Sequence, residues 1–392
     1  MKIKSDHLSM PVTVSSEHGC ILVISSVEPK PTGAGNVLLH RHLNQAEGWE
    51  VKVVPNPSSN LLTTKLKRLQ RTRFHRWAND LEILLNGRNW ERSIELYQPL
   101  GTKTIVLTVA HEDGCLAALR FAKRNGLPLV TFFNDWWPDF PSVHNPLQQL
   151  LNQQFKRLYL ESDLAFCASE GMKKVLGSHP KSFVLYGIPA TLNDKLISDT
   201  SIKKLDAKFR LLYFGNLYEY GAIIASLLKE VRTHTSIQVQ VRGANPNWSE
   251  IFRDEMANSG LWLDFAPREK LNQWLAEADA FLVTMSFDPA LRRRMETSFP
   301  TKMTEYAQFG KPLVIWGPEY CSAIKWGLDG DRAICVTDEN PQVLVAALEK
   351  IKDSPEQQEY YAKQAIISAQ TEFNPCIIQN QFLESLQSLL IA

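Results

Sequence analysis

The sequence predicts an α/β protein of two domains, each built on a parallel β-sheet covered by helices. The chain has 392 residues, which is more than one compact core usually holds. Short apolar runs alternate with helical patterns in two successive sets, as in repeated βαβ units. A polar stretch at 190–208, rich in Asp, Ser and Lys, separates the two sets and is typical of an interdomain linker.

Each set contains six apolar runs that are predicted to be strands. Those of the first set lie at 20–25, 50–54, 104–109, 128–133, 164–168 and 183–186, and those of the second at 210–214, 238–242, 261–265, 280–285, 312–315 and 333–336. We predict a first Rossmann-like domain at 1–195, a second at 205–375 and a final helix at 376–392 that packs back on the first domain. Ligands of such sheets bind beyond the carboxyl ends of the strands, here the cleft between the domains.

Composition narrows the class of protein. With 43 basic and 42 acidic residues, the formal net charge is +1, which argues against a bulk nucleic-acid binder. The six cysteines are scattered without Cys-x-x-Cys pairs, and neither they nor the histidines show metal-ligand spacing, so we expect free thiols and no metal site. Residues 1–19 lack the apolar core of a signal peptide, and no apolar run is long enough to span a bilayer. A cytoplasmic protein is expected.

The stretch from Ser298 to Ile315 is the most informative motif. It reads Ser-x-Pro-x-Lys-x-x-Glu-Tyr, followed by Gly-Lys-Pro and a strand. Proline suits the first helical turn, so Pro300 is predicted to open a helix whose free N–H groups face an anion. Lys302 and Glu305 then share one side of that helix and offer an ammonium to a phosphate and a carboxylate to two hydroxyls. The alternative is a surface helix with an ordinary Lys/Glu pair.

This motif resembles the nucleotide-sugar site of GT-B-fold glycosyltransferases, particularly the large retaining family four. The resemblance implies two facing Rossmann-like domains and transfer of a sugar from a nucleotide-diphosphate donor, most simply a UDP-sugar. The acceptor would be a hydroxyl of a glycan, glycolipid or small molecule, and no cofactor is implied beyond the nucleotide sugar. The donor-binding residues implied by this block are Ser298, Phe299, Pro300, Thr301, Lys302 and Glu305.

A second donor signal follows the strand at 210–214, where Gly215 and Asn216 resemble the glycine-centred turn that lets a diphosphate approach the backbone. Relatives usually carry a basic pair a few residues on, but this chain reads Tyr-Glu-Tyr-Gly at 218–221. Developing negative charge on the leaving phosphate must still be stabilised. We therefore expect Lys302 to act as a catalytic cation, helped by Arg242 and one of the three arginines at 292–294.

One further position departs from the family. The first glutamate of the family's Glu-x7-Glu pattern would fall at Thr297. This departure bears on the retaining outcome that the family implies.

The first domain offers a glycine loop at 28–36, in which Gly33 and Gly35 could let a ligand approach the backbone. The loop is not Gly-x-Gly-x-x-Gly, so a dinucleotide site is not supported. A simple turn with a helix cap explains the glycines equally well.

Polar and aromatic residues also follow two other strands of the first domain. Asn134, Asp135 and Trp136 combine an amide, a carboxylate and an aromatic face, as sugar sites do. Related enzymes have a histidine where Asn134 stands, which leaves Asp135 as the predicted catalytic group. His111 is another candidate for the sugar or acceptor cleft. The alternatives are a Trp-Trp-Pro corner that only packs the loop, and a solvated helix cap at His111.

The segment from Lys65 to Trp77 alternates basic and apolar residues at helical spacing. Such a helix could contact an anionic membrane surface peripherally, or its apolar stripe could pack on the first sheet while its basic residues face water. Two other functions remain open for the whole chain. One is a non-catalytic GT-B subunit that binds a nucleotide or a partner, and the other is a nucleotide-sugar 2-epimerase.

Overall fold

The computed structural model describes residues 18–57, 61–95, 97, 103–190, 208–244 and 246–391. Residues 191–207 of the predicted linker and residues 1–17 of the polar N-terminal segment lie outside these residues. Among the residues that are described, no helix is long and apolar enough to cross a membrane.

The first domain contains one parallel six-stranded sheet in the order β2-β1-β3-β4-β5-β6. Its strands are β1 (Gly19–Val23), β2 (Trp49–Val53), β3 (Thr104–Val109), β4 (Leu129–Phe133), β5 (Leu164–Cys167) and β6 (Ser182–Val184). Its helices are α1 (Ala34–Asn44), α2 (Leu61–Leu69), α3 (His75–Glu95), α4 (Glu112–Asn125), α5 (Asn145–Glu161) and α6 (Glu170–Leu176). Helices cover both faces of the sheet, which is why β3 and β4 are buried along their whole length and contain only apolar residues and threonines.

The second domain repeats this plan with a parallel sheet in the order β12-β11-β10-β7-β8-β9. Its strands are β7 (Phe209–Phe214), β8 (Ile237–Arg242), β9 (Trp262–Leu263), β10 (Ala280–Thr284), β11 (Leu313–Trp316) and β12 (Ile334–Val336). Its helices are α7 (Gly221–Val231), α8 (Glu250–Asn258), α9 (Arg268–Ala276), α10 (Arg292–Thr297), α11 (Lys302–Ala307), α12 (Ser322–Leu328), α13 (Pro341–Lys352) and α14 (Pro355–Gln370). The predicted α/β class with two parallel sheets is confirmed.

A final helix, α15 (Pro375–Leu390), lies against the first sheet. Phe382 is fully buried, and its ring centroid is 5.9 Å from that of Phe132 on β4 and 5.8 Å from that of Phe166 on β5. Gln379, also buried, donates to the carbonyls of His42 and Gln45 at the end of α1. As predicted, this helix packs back on the first domain.

Candidate functional site

A cavity of about 620 Å³ opens where strands β7 and β8 end, with Gly33 of the first domain on its opposite wall. A Cβ atom on Gly243 would come within 2.2 Å of the Gly215 carbonyl oxygen, so glycine lets the two strand ends converge. The Gly215 N–H donates to the Arg242 carbonyl at 3.0 Å. The volume suits a nucleotide-sized ligand. The remaining lining residues are Phe214, Asn216, Tyr218, Ala244, Phe265, Ala266 and Leu271.

Lys302 lies directly behind the Gly215 turn. Its Nζ atom is 3.7 Å from the ring centroid of Tyr213, and a Cβ atom on Gly215 would lie only 2.9 Å from this nitrogen. The ammonium is buried and has no hydrogen-bond partner among the described residues. Burial lowers the pKa of Lys302 to about 7. No carboxylate of the described residues forms an ion pair with this buried ammonium, and an anion at the turn would supply the compensating charge.

The helix that carries Lys302 begins later than predicted. It spans Lys302–Ala307, whereas Pro300 lies in the turn before it. The N–H of Met303 donates to the Pro300 carbonyl at 3.0 Å, and the N–H of Thr304 donates to the Thr301 carbonyl at 3.2 Å. The prediction of a helix opened by Pro300 is therefore wrong, and these two N–H groups are engaged within the turn. The positive charge here comes from the Lys302 side chain.

Glu305 is held by two arginines, one from each domain. Its Oε1 accepts from Arg41 Nη2 of α1 at 3.1 Å, and its Oε2 accepts from Arg268 Nη1 of α9 at 2.9 Å. Arg41 also donates to the Ile188 carbonyl at 2.6 Å. The Glu305 side chain is only 11% exposed. Both carboxylate oxygens thus already have a cationic donor where two ribose hydroxyls were predicted.

A second contact between the domains joins the ends of β4 and α10. The Ser298 hydroxyl donates to Asp135 Oδ1 at 2.5 Å, and Arg294 Nε is 3.9 Å from the same oxygen. Arg294 also forms an ion pair with Glu219 in the loop after β7. Asp135 therefore lies beside a guanidinium from the opposite domain, in the region where a basic pair was missing from the sequence.

His111 lies next to this contact. Burial is the main reason that its pKa is lowered, although Glu112 and Asp135 both favour the charged ring. Its buried Nδ1 has no hydrogen-bond partner among the described residues, and the nearest carboxylate oxygen of Glu112 is 3.9 Å away. The backbone of Glu112 has a φ of 51°, which strains a residue with a side chain. His111 and Asp135 are thus neighbouring titratable groups at the ends of adjacent strands.

The other arginines singled out in the sequence have partners, although the buried Nε of Arg242 has none among the described residues. Arg242 lines the cavity, donates to the Asp264 carbonyl at 2.7 Å and lies over the Trp274 ring at 5.1 Å. Arg293 bonds Asp139 and Asn152 of the first domain at 3.2 Å and 3.0 Å. Arg292 pairs with Glu296 on its own helix. Of the three arginines at 292–294, the one nearest Asp135 is Arg294.

Several predicted residues lie away from the cavity. Trp136 is 1% exposed, bonds Asn152 at 2.7 Å and packs on Phe155, so the prediction that its ring faces a sugar is wrong. Phe299 packs in an aromatic cluster with Tyr186, Trp326 and Phe373 and is not part of the cavity lining. Gly35 lies in the first turn of α1 and is exposed, and Asn134 is half-buried beside Asp135. Gly33, Gly215, Asn216 and Arg242 do line the cavity.

Some residues of the site were missed. Gly243 had a signal, because it follows a strand end as Gly215 does. Arg41 and Arg268 had none, because their common partner Glu305 is distant from both in sequence. Among the described residues, no group of three or more His, Cys, Asp and Glu side chains could hold a metal ion.

Comparison with solved structures shows that the chain has the GT-B fold. HepE of Anabaena, in complex with UDP and glucose, matches with a TM-score of 0.64 and 16% identity over 95% of this chain and 100% of that chain. A glycosyltransferase of Rickettsia africae matches with a TM-score of 0.63 and 13% identity over 95% of this chain and 99% of that chain. The UDP-forming α,α-trehalose-phosphate synthase of Burkholderia xenovorans, in complex with glucose-6-phosphate, matches with a TM-score of 0.61 and 12% identity over 94% of this chain and 100% of that chain.

No family model matches the chain, and no curated protein matches it significantly by sequence. At these identities the structural similarity establishes the fold alone. The predicted GT-B architecture is confirmed, and the chemistry has to be argued from the residues.

Proposed function

We propose that the protein is a glycosyltransferase that moves a sugar from a nucleotide-diphosphate sugar, most simply a UDP-sugar, to an acceptor hydroxyl. The observation that carries the proposal is the buried ammonium of Lys302 behind the Gly215 turn, at the strand ends of the second domain. An anion placed at this turn would be attracted by a cation that has no hydrogen-bond partner in the described part of the chain. The GT-B fold and the UDP in the HepE complex agree with this donor class.

In this scheme the second domain binds the donor. The diphosphate lies against Gly215 and Asn216, and Lys302 stabilises the charge that grows on the leaving phosphate. Arg242 and the loop at 265–266 border the rest of the nucleotide. Glu305 takes the ribose hydroxyls, which requires that the carboxylate exchange at least one arginine for the donor.

The first domain faces the sugar and the acceptor, which would be a glycan, a glycolipid or a small molecule. Asp135, with Asn134 and His111 nearby, is the polar group closest to the interdomain contact at Ser298. Closure of the two domains would bring these groups against the donor. We propose that the reaction is metal-independent and retaining, so EDTA should leave turnover unchanged and the product should keep the anomeric configuration of the donor in an NMR assay.

A thermal-shift panel of UDP, GDP, dTDP and ADP tests donor binding. A nucleotide at 100 times its dissociation constant stabilises the protein by about 2.7 kcal/mol. We expect UDP to give the largest shift and Lys302→Met to reduce it strongly. If none of the four nucleotides stabilises the protein, the proposal fails.

A non-catalytic GT-B subunit is the second candidate, for two reasons. Both carboxylate oxygens of Glu305 already pair with arginines. Thr297, which stands where the family has a glutamate, has its hydroxyl bonded to the Arg293 carbonyl at 2.9 Å. Incubation with UDP-glucose and no acceptor separates the possibilities. Slow release of UDP and glucose indicates a transferase that uses water, whereas an unchanged donor that still binds indicates a non-catalytic subunit. Appearance of the C2 epimer would instead indicate a nucleotide-sugar 2-epimerase.

A further inference from the structure

An exposed apolar face covers the end of α2 and the first half of α3. Its five residues are Leu69, Phe74, Trp77, Leu81 and Leu84, which are 44%, 48%, 68%, 44% and 64% exposed. Trp77, Leu81 and Leu84 share one side of α3, because they are spaced by four and then three residues. The interpretation in which the whole stripe packs on the first sheet is therefore wrong for these residues. We call them the α2–α3 face.

Cations surround this face. The six basic residues Lys65, Lys67, Arg68, Arg71, Arg73 and Arg76 are all exposed. None of them forms an ion pair with another described residue. The two acidic residues between 65 and 84 are engaged by neighbours, since Asp80 bonds His144 Nδ1 at 2.6 Å and Glu82 accepts from Gln70. The α2–α3 face thus presents uncompensated positive charge at its apolar side chains.

From these observations we propose that the α2–α3 face binds the surface of an anionic lipid bilayer. Aromatic and leucine side chains enter the boundary between headgroups and acyl chains, and lysine and arginine side chains reach the phosphates at the same depth. A protein interface fits less well, because charged residues are depleted from the buried core of such an interface, whereas six exposed cations lie among these apolar side chains. On this face cations alternate with apolar residues at one- to three-residue intervals. A partner would therefore have to offer anionic groups and apolar surface to the same patch, as the surface of an anionic bilayer does.

The α2–α3 face adjoins the cleft between the domains. Trp77 packs on the His144 ring with centroids 4.7 Å apart, and Asn79 donates to the Ser142 carbonyl at 2.8 Å. The same loop borders a polar cavity of about 590 Å³, whose opposite wall includes Arg292, Arg293 and Glu296 of the second domain. A protein bound through this face would therefore hold one opening of its cleft next to the bilayer.

Flotation of the full chain with vesicles tests the proposal. Phosphatidylcholine vesicles with and without phosphatidylglycerol are compared at low and high salt. We expect binding only to the anionic vesicles, weakened by salt. Trp77→Gln with Leu84→Gln should lower the partition constant at least tenfold. Arg68→Gln with Arg76→Gln should lower it roughly fivefold for each charge removed.

Two control variants lie on the second domain. Ile251→Gln removes an exposed apolar residue, and Lys350→Gln with Lys363→Gln removes two exposed cations. Both should bind as the parent does, and all variants should keep the parent's thermal-shift response to UDP. The proposal is overturned if anionic vesicles do not bind the parent, or if control and face variants lose binding equally. It is also overturned if the face variants change only the oligomeric state in sedimentation, which would identify the occupant as a second copy.

Discussion

Lys302 and Glu305 lie three residues apart on α11, yet their charged groups have opposite surroundings. The Lys302 ammonium is buried against ring faces without a hydrogen-bond partner among the described residues, and its neighbours Tyr213 and Gly215 belong to its own domain. Glu305 has a guanidinium on each oxygen, and one of these comes from the other domain. The comparison separates a site built locally, which lacks a counter-charge, from a site completed by the domain interface.

The largest effect is expected for Lys302→Met, which removes the uncompensated charge and keeps the volume of the side chain. Loss of a group that stabilises developing charge typically costs 10²–10³ in kcat. Donor affinity should fall less, because phosphate charge increases toward the transition state. The melting temperature should not fall, since a neutral side chain has no desolvation penalty. Steady-state kinetics and UDP titration measure these quantities.

The matched control for this variant is Lys325→Met, on a helix of the same domain, which is expected to leave turnover unchanged. Lys302→Met with unchanged kcat and UDP affinity would contradict the role of the ammonium in donor binding.

The pH dependence follows from the same ammonium. Lys302 titrates near pH 7 when folded and at about 10.5 when unfolded, so between these values the unfolded state binds more protons. This group therefore makes stability rise with pH through that window. A bound diphosphate favours the charged form, so UDP binding takes up a proton above pH 7. The affinity for UDP should fall by up to tenfold per pH unit. Calorimetry in buffers of different ionisation enthalpy measures the proton uptake, which Lys302→Met should abolish.

Glu305→Gln probes the paired site. Replacing charge-assisted acceptors by an amide should cost about 1.5–3 kcal/mol of UDP binding. Because Glu305 pairs with one arginine from each domain, the variant should also loosen the contact between the domains. UDP titration and small-angle scattering measure the two effects, and Glu296→Gln on α10 is the control. Unchanged UDP binding would remove Glu305 from the donor site.

The sequence predicted the fold and the local half of the site, but not the part that crosses the cleft. Strand runs such as Thr104–Val109 have apolar residues on both faces and no charged residue, so their place in a buried parallel sheet follows from pattern alone. Gly215 belongs to a recognisable motif at a strand end, and Lys302 belongs to one at the start of a helix. Arg41 has no such signal, because its partner is 264 residues away. The direction of Trp136 was also unpredictable, since a cleft position and a core position use the same aromatic residue.

The smallest effect is expected for Arg41→Ala, which frees one oxygen of Glu305 and leaves the pair with Arg268. A largely buried pair that must open for ribose to bind opposes the donor, but the arginine is partly exposed and water screens the attraction. We therefore expect UDP to bind two- to fivefold more tightly, or about 1 kcal/mol at most. Arg268→Ala, which removes the partner from the same domain, is the comparison variant. Weaker UDP binding in Arg41→Ala would mean that this arginine contacts the nucleotide itself. The Arg41–Glu305 pair would then belong to the protein without a bound nucleotide, and donor binding would draw the first domain toward the second.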